Sequence, residues 1–228
     1  MDEAPQRPDV ESLSGLGDVS RETRTRLAVY RRLLIAWQAR INLVAPSTLE
    51  DAWRRHFLDS AQLVALAPPR PRRWIDLGSG AGFPGLVAAI LLAPASPQTE
   101  VCLVESDARK CAFLRAVIAE TGLAATGLAV RVLTMRADRA ATVLGAGPAV
   151  ISARALAPLP RLLELVWPFW TTGCVGLFPK GRDIDVELTE ARKYWNIHAS
   201  RLPSATAPDG VILKLEELAR ADRRHASL

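Results

Sequence analysis

Asp76-Leu-Gly-Ser-Gly-Ala-Gly-Phe-Pro-Gly85 is the stretch that decides the fold. The apolar run before it, Trp74–Leu77, reads as a short buried strand, and the run after it, from about Pro84 to Leu92, reads as a helix. Glycines let the chain turn sharply between the two and let the backbone approach a ligand with no Cβ in the way. Pro84 suits a first helical turn, where its missing N–H would have no partner anyway. The helix N-terminus then offers free N–H donors to an anionic group.

Outward from this turn, strand and helix signals alternate. Val101–Glu105 is a second strand, and Ser106 is expected to cap a helix with Phe113, Leu114, Val117 and Ile118 on its inner face, ended by Gly122. Val130–Thr134, Ala149–Ala153 and Cys174–Phe178 read as further strands. A helix rich in Leu and Trp, Leu159–Trp170, joins the last two of them. After a helix at Asp185–Trp195, the runs Ile197–Leu202 and Val211–Leu215 read as a closing strand pair. This order predicts an α/β, Rossmann-like fold with a mostly parallel seven-stranded sheet and helices on both faces. In such sheets ligands bind at the carboxyl ends of the strands, where the strand order reverses.

Upstream, residues 1–20 mix Pro, Ser, Gly and acidic residues without periodicity and read as a flexible arm. Leu27, Tyr30, Leu34, Trp37 and Ile41 then mark one face of an amphipathic helix. Ser47-Thr-Leu-Glu50 reads as a capping box opening a second helix through Trp53, Phe57, Ala61 and Val64. The Pro- and Arg-rich run 68–73 reads as a linker. The expected organisation is therefore an arm at 1–20, a helical extension at 21–67, a main domain at 74–218 and a tail at 219–228.

With 49% hydrophobic and 23% charged residues among 228, the composition is that of an ordinary soluble domain. No apolar run approaches the roughly 20 residues that span a bilayer, and no secretory signal is visible at the N-terminus. A cytoplasmic protein with no membrane partner is expected. Cys102, Cys111 and Cys174 lie in apolar runs without paired spacing and read as reduced core residues rather than zinc ligands, so no metal is expected. The net charge of +5, carried mostly by arginine, favours an anionic partner such as nucleic acid.

Two cofactors compete for the glycine turn. Gly80-Ala-Gly-Phe-Pro-Gly85 spells the dinucleotide fingerprint, which would make the protein an oxidoreductase. The phasing Asp76-x-Gly78-x-Gly80-x-Gly82 instead resembles the first motif of the S-adenosylmethionine methyltransferases. That resemblance implies that Asp76 helps hold the amino-acid end of the cofactor. A dinucleotide has no ammonium group for Asp76 to meet. Glu105, ending the second strand, can take both ribose hydroxyls. Asp138, after the third strand, would contact the adenine amino group while the backbone at Ala137 reads the adenine edge. Asp138 reads equally as a helix N-cap.

Further motifs narrow the family. Asn42-Leu-Val44, Arg55-His-Phe-Leu-Asp-Ser60, the glycine turn, Ser152-Ala-Arg-Ala155 and Phe178-Pro-Lys-Gly181 occur in that order. Together they resemble the bacterial 16S ribosomal RNA guanine-N7 methyltransferases, the glucose-inhibited division protein B family, over about Leu27 to Leu215. The resemblance implies a class I methyltransferase domain with an N-terminal helical extension, acting on a guanine of the decoding-centre loop of the small ribosomal subunit. It places cofactor contacts on Gly78, Phe83, Ala137, Asp138 and Arg154.

The residues agree with N7 chemistry. Ser152-Ala-Arg-Ala155 lacks the Asn/Asp-Pro-Pro-aromatic motif of exocyclic-amine methylation, and no cysteine follows the fourth strand to serve as a nucleophile. Guanine N7 carries a free lone pair, so alignment suffices and no general base is expected. Arg136, Arg154 and Lys180 follow successive strands and are expected to converge on one rim, gripping phosphate or the guanine edge. Arg154 and Lys180 are the candidates for positioning at the reacting centre. Arg54, Arg55 and the arginines of 21–40 are expected to touch RNA backbone. His56 is grouped with them, a packed histidine being the other reading. Trp37, Trp53, Trp167 and Trp170 lie on apolar helical stripes and read as core; Trp74 and Trp195 are left open. A small-molecule methyltransferase of the same fold is the alternative, and a monomer without a protein partner is expected.

Overall fold

The computed structural model describes residues 19–221. The expected arm, but for Val19 and Ser20, and most of the expected tail lie outside those residues. Helix α1 (Arg21–Gln38) opens on Ser20, whose hydroxyl accepts from the Thr23 amide at 3.2 Å. A π-helical turn at Trp53–Leu58 leads straight into α2 (Asp59–Leu66). The expected capping box at Ser47–Glu50 does not form: Pro46–Thr48 is a short 3-10 turn, and it is Thr48 whose hydroxyl donates back, to the Ala45 carbonyl at 2.7 Å. Pro46 fixes φ and removes a donor, which favours this tight turn over a cap.

The sheet strands are β1 (Arg73–Leu77), β2 (Glu100–Glu105), β3 (Ala129–Thr134), β4 (Val150–Ser152), β5 (Val175–Lys180), β6 (Trp195–Pro203) and β7 (Val211–Arg220). Between them run α3 (Gly85–Leu92), α4 (Ala108–Glu120), α5 (Ala137–Leu144), α6 (Leu159–Val166) and α7 (Ile184–Ala191). The strand order is β3-β2-β1-β4-β5-β7-β6, with only β7 antiparallel to its neighbours. The order reverses between β1 and β4, so the ligand crevice belongs there. The closing strands are longer than their apolar runs predict, and β7 passes the boundary expected at 218. Among the described residues no helix is long and apolar enough to cross a membrane.

Alternate side chains of the central strands enter two cores. Trp74, Val101 and Leu103 join α1, α2, α3 and α4 on one face, while Ile75, Leu77, Cys102 and Val104 join α5, α6 and α7 on the other. This is the period of two expected of strands buried on both sides. Asp107, not Ser106, caps α4, accepting from the Arg109 amide at 2.8 Å. Trp74 and Trp195 are fully buried, whereas Trp37, Trp167 and Trp170 are only partly so. The three cysteines are buried and unbonded.

At the heart of the switch point is a buried polar chain. The Trp74 indole donates to the Ser152 hydroxyl at 2.8 Å, and that hydroxyl donates to Asp76 Oδ1 at 2.6 Å. One hydroxyl thus ties the ends of β1 and β4 together. We expect Ser152→Ala to leave a buried N–H and a buried carboxylate oxygen without partners, costing about 2–3 kcal/mol. Urea denaturation at pH 7 should show a lower midpoint with unchanged slope; a shift worth under about 0.5 kcal/mol would mean the chain is not holding the strands.

Candidate functional site

The strand ends and the extension together enclose a cavity of about 630 Å3, within the size range of small-molecule sites. Its floor is the glycine turn. A Cβ built on Gly78 would meet Leu156 at 2.6 Å, and one on Gly85 would meet Asp76 at 2.5 Å. One on Gly82 would run into Tyr30 and Leu114. Those three glycines are closed in by protein. Gly80 differs: the nearest atom to its Cβ position is the Gly78 carbonyl, at 3.8 Å. It also sits at φ +56°, a conformation costly for side chains with a Cβ. Gly80 is therefore where bare backbone faces the cavity.

The acidic residues of the turn divide their work. Glu105 lines the cavity, its Oε2 accepting from the Gly80 amide at 2.9 Å and its Oε1 from the Asp107 amide at 2.7 Å. Asp76 does not line it; it is fully buried behind the turn. Burial pushes its carboxyl up to about 6, against the opposing pull of the Ser152 hydrogen bond and the Arg154 charge. Its Oδ2 has no hydrogen-bond partner among the described residues. An electron-rich floor of this kind, beneath an open glycine, suits a ligand carrying positive charge. S-adenosylmethionine, with its sulfonium and ammonium, fits it.

At the far end of the turn Phe83 is sandwiched. Tyr30 of α1 stacks on it at 5.3 Å and His56 of the π-helical turn at 5.0 Å, while the Arg154 guanidinium lies 5.1 Å from its ring centre. The Tyr30 hydroxyl donates to the Ala81 carbonyl. Arg154 also donates to the Arg55 carbonyl at 3.1 Å, to Asp59 Oδ2 at 3.3 Å and to His56 Nδ1 at 3.1 Å. Arginine can only donate, so His56 Nδ1 accepts and its proton sits on Nε2. Nε2 lies 2.8 Å from the Thr48 hydroxyl, whose own proton goes to Ala45. Burial first, then the charges of Arg154 and Arg55, hold the imidazole down to about 4. His56 is thus a neutral, packed histidine whose ring faces the cavity.

The three cations expected on one rim do not all meet there. Arg154 and Lys180 line the cavity; Arg136 does not, and pairs with its neighbour Asp138 at 3.2 Å on the exposed surface. Asp138 lies outside the cavity wall as well, in the first turn of α5 but not as its cap, while Ala137 lines the wall. Lys180 is nearly buried, bound to Glu187 at 2.7 Å and to the Ala157 carbonyl at 3.1 Å, so its charge is balanced rather than free. Arg55 reaches the cavity, and Arg54 is exposed away from it. Three residues without a role in the sequence reading belong here. Asp59 is the anion that Arg154 meets, Thr206 donates to Asp59 Oδ1 at 2.7 Å, and Lys110 adds a cation to the wall. Asp59 stands in the motif Arg55–Ser60, which was the available signal; Thr206 lies in the polar 203–210 loop, which carries none.

Comparison with known proteins accords with this geometry. The family model described as rRNA small subunit methyltransferase G matches residues 23–210. A protein named ribosomal RNA small subunit methyltransferase G from Parvibaculum lavamentivorans is 51% identical over 94% of the chain and 92% of its own length. Another so named, from Paramagnetospirillum magneticum, is 50% identical over 92% of the chain and 96% of its length. Among solved structures, a methyltransferase from Geobacter sulfurreducens superposes with a TM-score of 0.57 at 15% identity, covering 90% of this chain and 93% of that one. Aeropyrum pernix fibrillarin with natively bound S-adenosyl-L-methionine gives 0.51 at 17%, covering 71% and 75%. These two share the fold. The chain belongs to the rRNA small subunit methyltransferase G family.

Proposed function

We propose that the chain transfers a methyl group to N7 of a guanine in the decoding-centre loop of 16S ribosomal RNA, acting as a cytoplasmic monomer on the small ribosomal subunit. S-adenosyl-L-methionine is its cofactor, and the oxidoreductase reading of the glycine turn falls with that. Bound in the cavity, the cofactor supplies an electrophilic methyl group on a sulfonium. The Gly78–Gly80 backbone and Glu105 hold its nucleoside and amino-acid portions, with Ala137 against the adenine. Phe83 and Arg154 form the wall nearest the transfer. Arg55 and Lys110 supply the positive rim for phosphate, while Lys180, paired with Glu187, shapes the wall beside it. Arg54 and the exposed arginines of α1 extend it outward. Asp76 acts through the turn rather than by touching the cofactor. Asp138 and Arg136 are assigned to the exposed surface beside the adenine end.

The observation that carries the N7 assignment is that every titratable acid or imidazole in the wall is already committed. Both His56 nitrogens are in hydrogen bonds, each Glu105 oxygen accepts a backbone N–H, and Asp59 is paired with Arg154 and Thr206. Among the described residues no side chain there is set up to remove a proton. An amine or hydroxyl acceptor must lose one; N7 of guanine need not. What this cavity can contribute is alignment, which is what an exposed lone pair requires.

Two outcomes test this. Gly80→Val should abolish detectable calorimetric binding of S-adenosylhomocysteine while the protein stays folded, because its side chain would project into open cavity. The backbone strain costs about 1–2 kcal/mol. Unchanged affinity would move the cofactor off the turn. Second, the single-turnover rate with excess enzyme, saturating cofactor and 30S subunits should be nearly flat from about pH 6.5 to 8.5, since His56, held down to about 4, stays neutral throughout. A tenfold rise across that window, lost in His56→Gln, would mean that a base operates and that the acceptor is not N7.

A further inference from the structure

Asp59 and Gln62 stand one helical turn apart on the same face of α2, and both reach into the loop between β6 and β7. Asp59 Oδ1 accepts from the Thr206 hydroxyl at 2.7 Å and from Gln62 Nε2 at 3.0 Å. Gln62 in turn accepts from the Ala205 amide at 2.9 Å and donates to the Ser204 hydroxyl at 3.3 Å. Ser204, Thr206, Ala207 and Gly210 of that loop face the cavity, opposite the glycine turn. The other oxygen of Asp59 receives Arg154 at 3.3 Å, and Arg154 lies against Phe83 at the end of the turn. One carboxylate therefore serves two walls. Its side chain is 15% exposed, that of Arg154 19%, and Thr206 is buried, so solvent competes weakly for these bonds.

We propose that Asp59 is a positioning residue that fixes the 204–210 loop as the RNA-side wall of the cavity while holding Arg154 on the cofactor side. The loop has no other side-chain anchor on α2 than Asp59 and Gln62 among the described residues. Residues 204–210 lie outside β6 and β7, so the strands set their ends but not the conformation between them. Hydrogen bonds to an ionised partner are the strong kind, and this one is shared between the two walls. The loop's one carboxylate, Asp209, is not among the residues that line the cavity. The loop's contribution is shape and hydroxyl groups, which is what selects one base rather than activates it.

The inference rests on the RNA-methyltransferase reading, and the test keeps the two apart. The variants are Thr206→Val, which keeps shape and removes the hydroxyl, Thr206→Ser, which restores it, and Asp59→Asn. For each, KM and kcat for 30S subunits are measured alongside calorimetric affinity for S-adenosylhomocysteine. Thr206→Val should raise KM about tenfold or more, the effect of one lost hydrogen bond to a charged group, with cofactor affinity unchanged. Thr206→Ser should return KM to within about twofold of the parent. Asp59→Asn should both raise KM and weaken S-adenosylhomocysteine about tenfold, since it also loosens Arg154. An unaltered KM in Thr206→Val, or a loss that Thr206→Ser does not rescue, would overturn the inference. A parent enzyme that methylates no 30S guanine would instead overturn the reading beneath it.

Discussion

A carboxylate buried without a cation against it is the constraint from which this site is built. Asp76 ends β1 beneath the glycine turn, takes its hydrogen bond from Ser152 of β4, and touches the spot where any side chain at residue 85 would stand. Its pKa of about 6, above the ordinary carboxylate range, means that the folded state disfavours the charged form. Stability that this group contributes below its unfolded value, near 4, is lost as pH rises through about 6. At neutral pH the fold therefore carries a buried negative centre at the switch point, opposed by the Arg154 charge but with no cation paired to it among the described residues. The polar chain Trp74–Ser152–Asp76 holds it in place, and a cationic ligand above the turn is what such a centre favours electrostatically.

The second consequence concerns the N-terminal helices. They share the core that contains Trp74 and Leu103, so they are packed into the sheet's face rather than appended to it. Tyr30 reaches Ala81 and Phe83; the π-helical turn presents the Arg55 carbonyl and His56 to Arg154; Asp59 completes the set. A π turn widens the spacing of backbone groups relative to an α-helix, and such turns recur at functional sites. Here Arg55, His56 and Asp59 of the motif Arg55–Ser60 line the crevice, while Phe57 and Ser60 are buried behind them. A class I sheet alone would leave that crevice open on this side.

Much of this was legible in the sequence. The alternation of strands and helices, the position of the turn and the family motifs all rest on local patterns, and a mostly parallel sheet follows from them. What was not legible depends on partners distant in the chain. Ser47–Glu50 has the letters of a capping box, but Pro46 commits the segment to a 3-10 turn and His56 takes Thr48. Trp74 sits beside a Pro/Arg linker, which hides the fact that its indole is needed by a serine 78 residues away. Arg136, Arg154 and Lys180 occupy similar places at the ends of three strands, yet the side chain of Arg136, between Met135 and Ala137 of the cavity wall, is exposed and pairs with Asp138 instead. Lys180 reads as a free cation only until α7 brings Glu187 to it.

The pairing of Lys180 and the tautomer of His56 bear on the same question, which is how a site rich in ionisable groups comes to do no acid–base chemistry. The acids and the imidazole of the wall, and two of its cations, are matched in the ground state. Lys180 has Glu187, Arg154 has Asp59, Glu105 has two amides, and His56 is held between an arginine and a threonine. Matched groups are rigid, and their reorganisation costs little when charge leaves the sulfonium. The exception is Asp76, whose free oxygen is the one negative site without a partner among the described residues of this network. A cavity whose acids are held by hydrogen bonds and ion pairs, and beneath whose floor one carboxylate oxygen lacks a partner, is arranged to hold a cation in place. In the proposed reaction the remaining task is to bring a lone pair to it along a wall that Asp59 keeps from shifting.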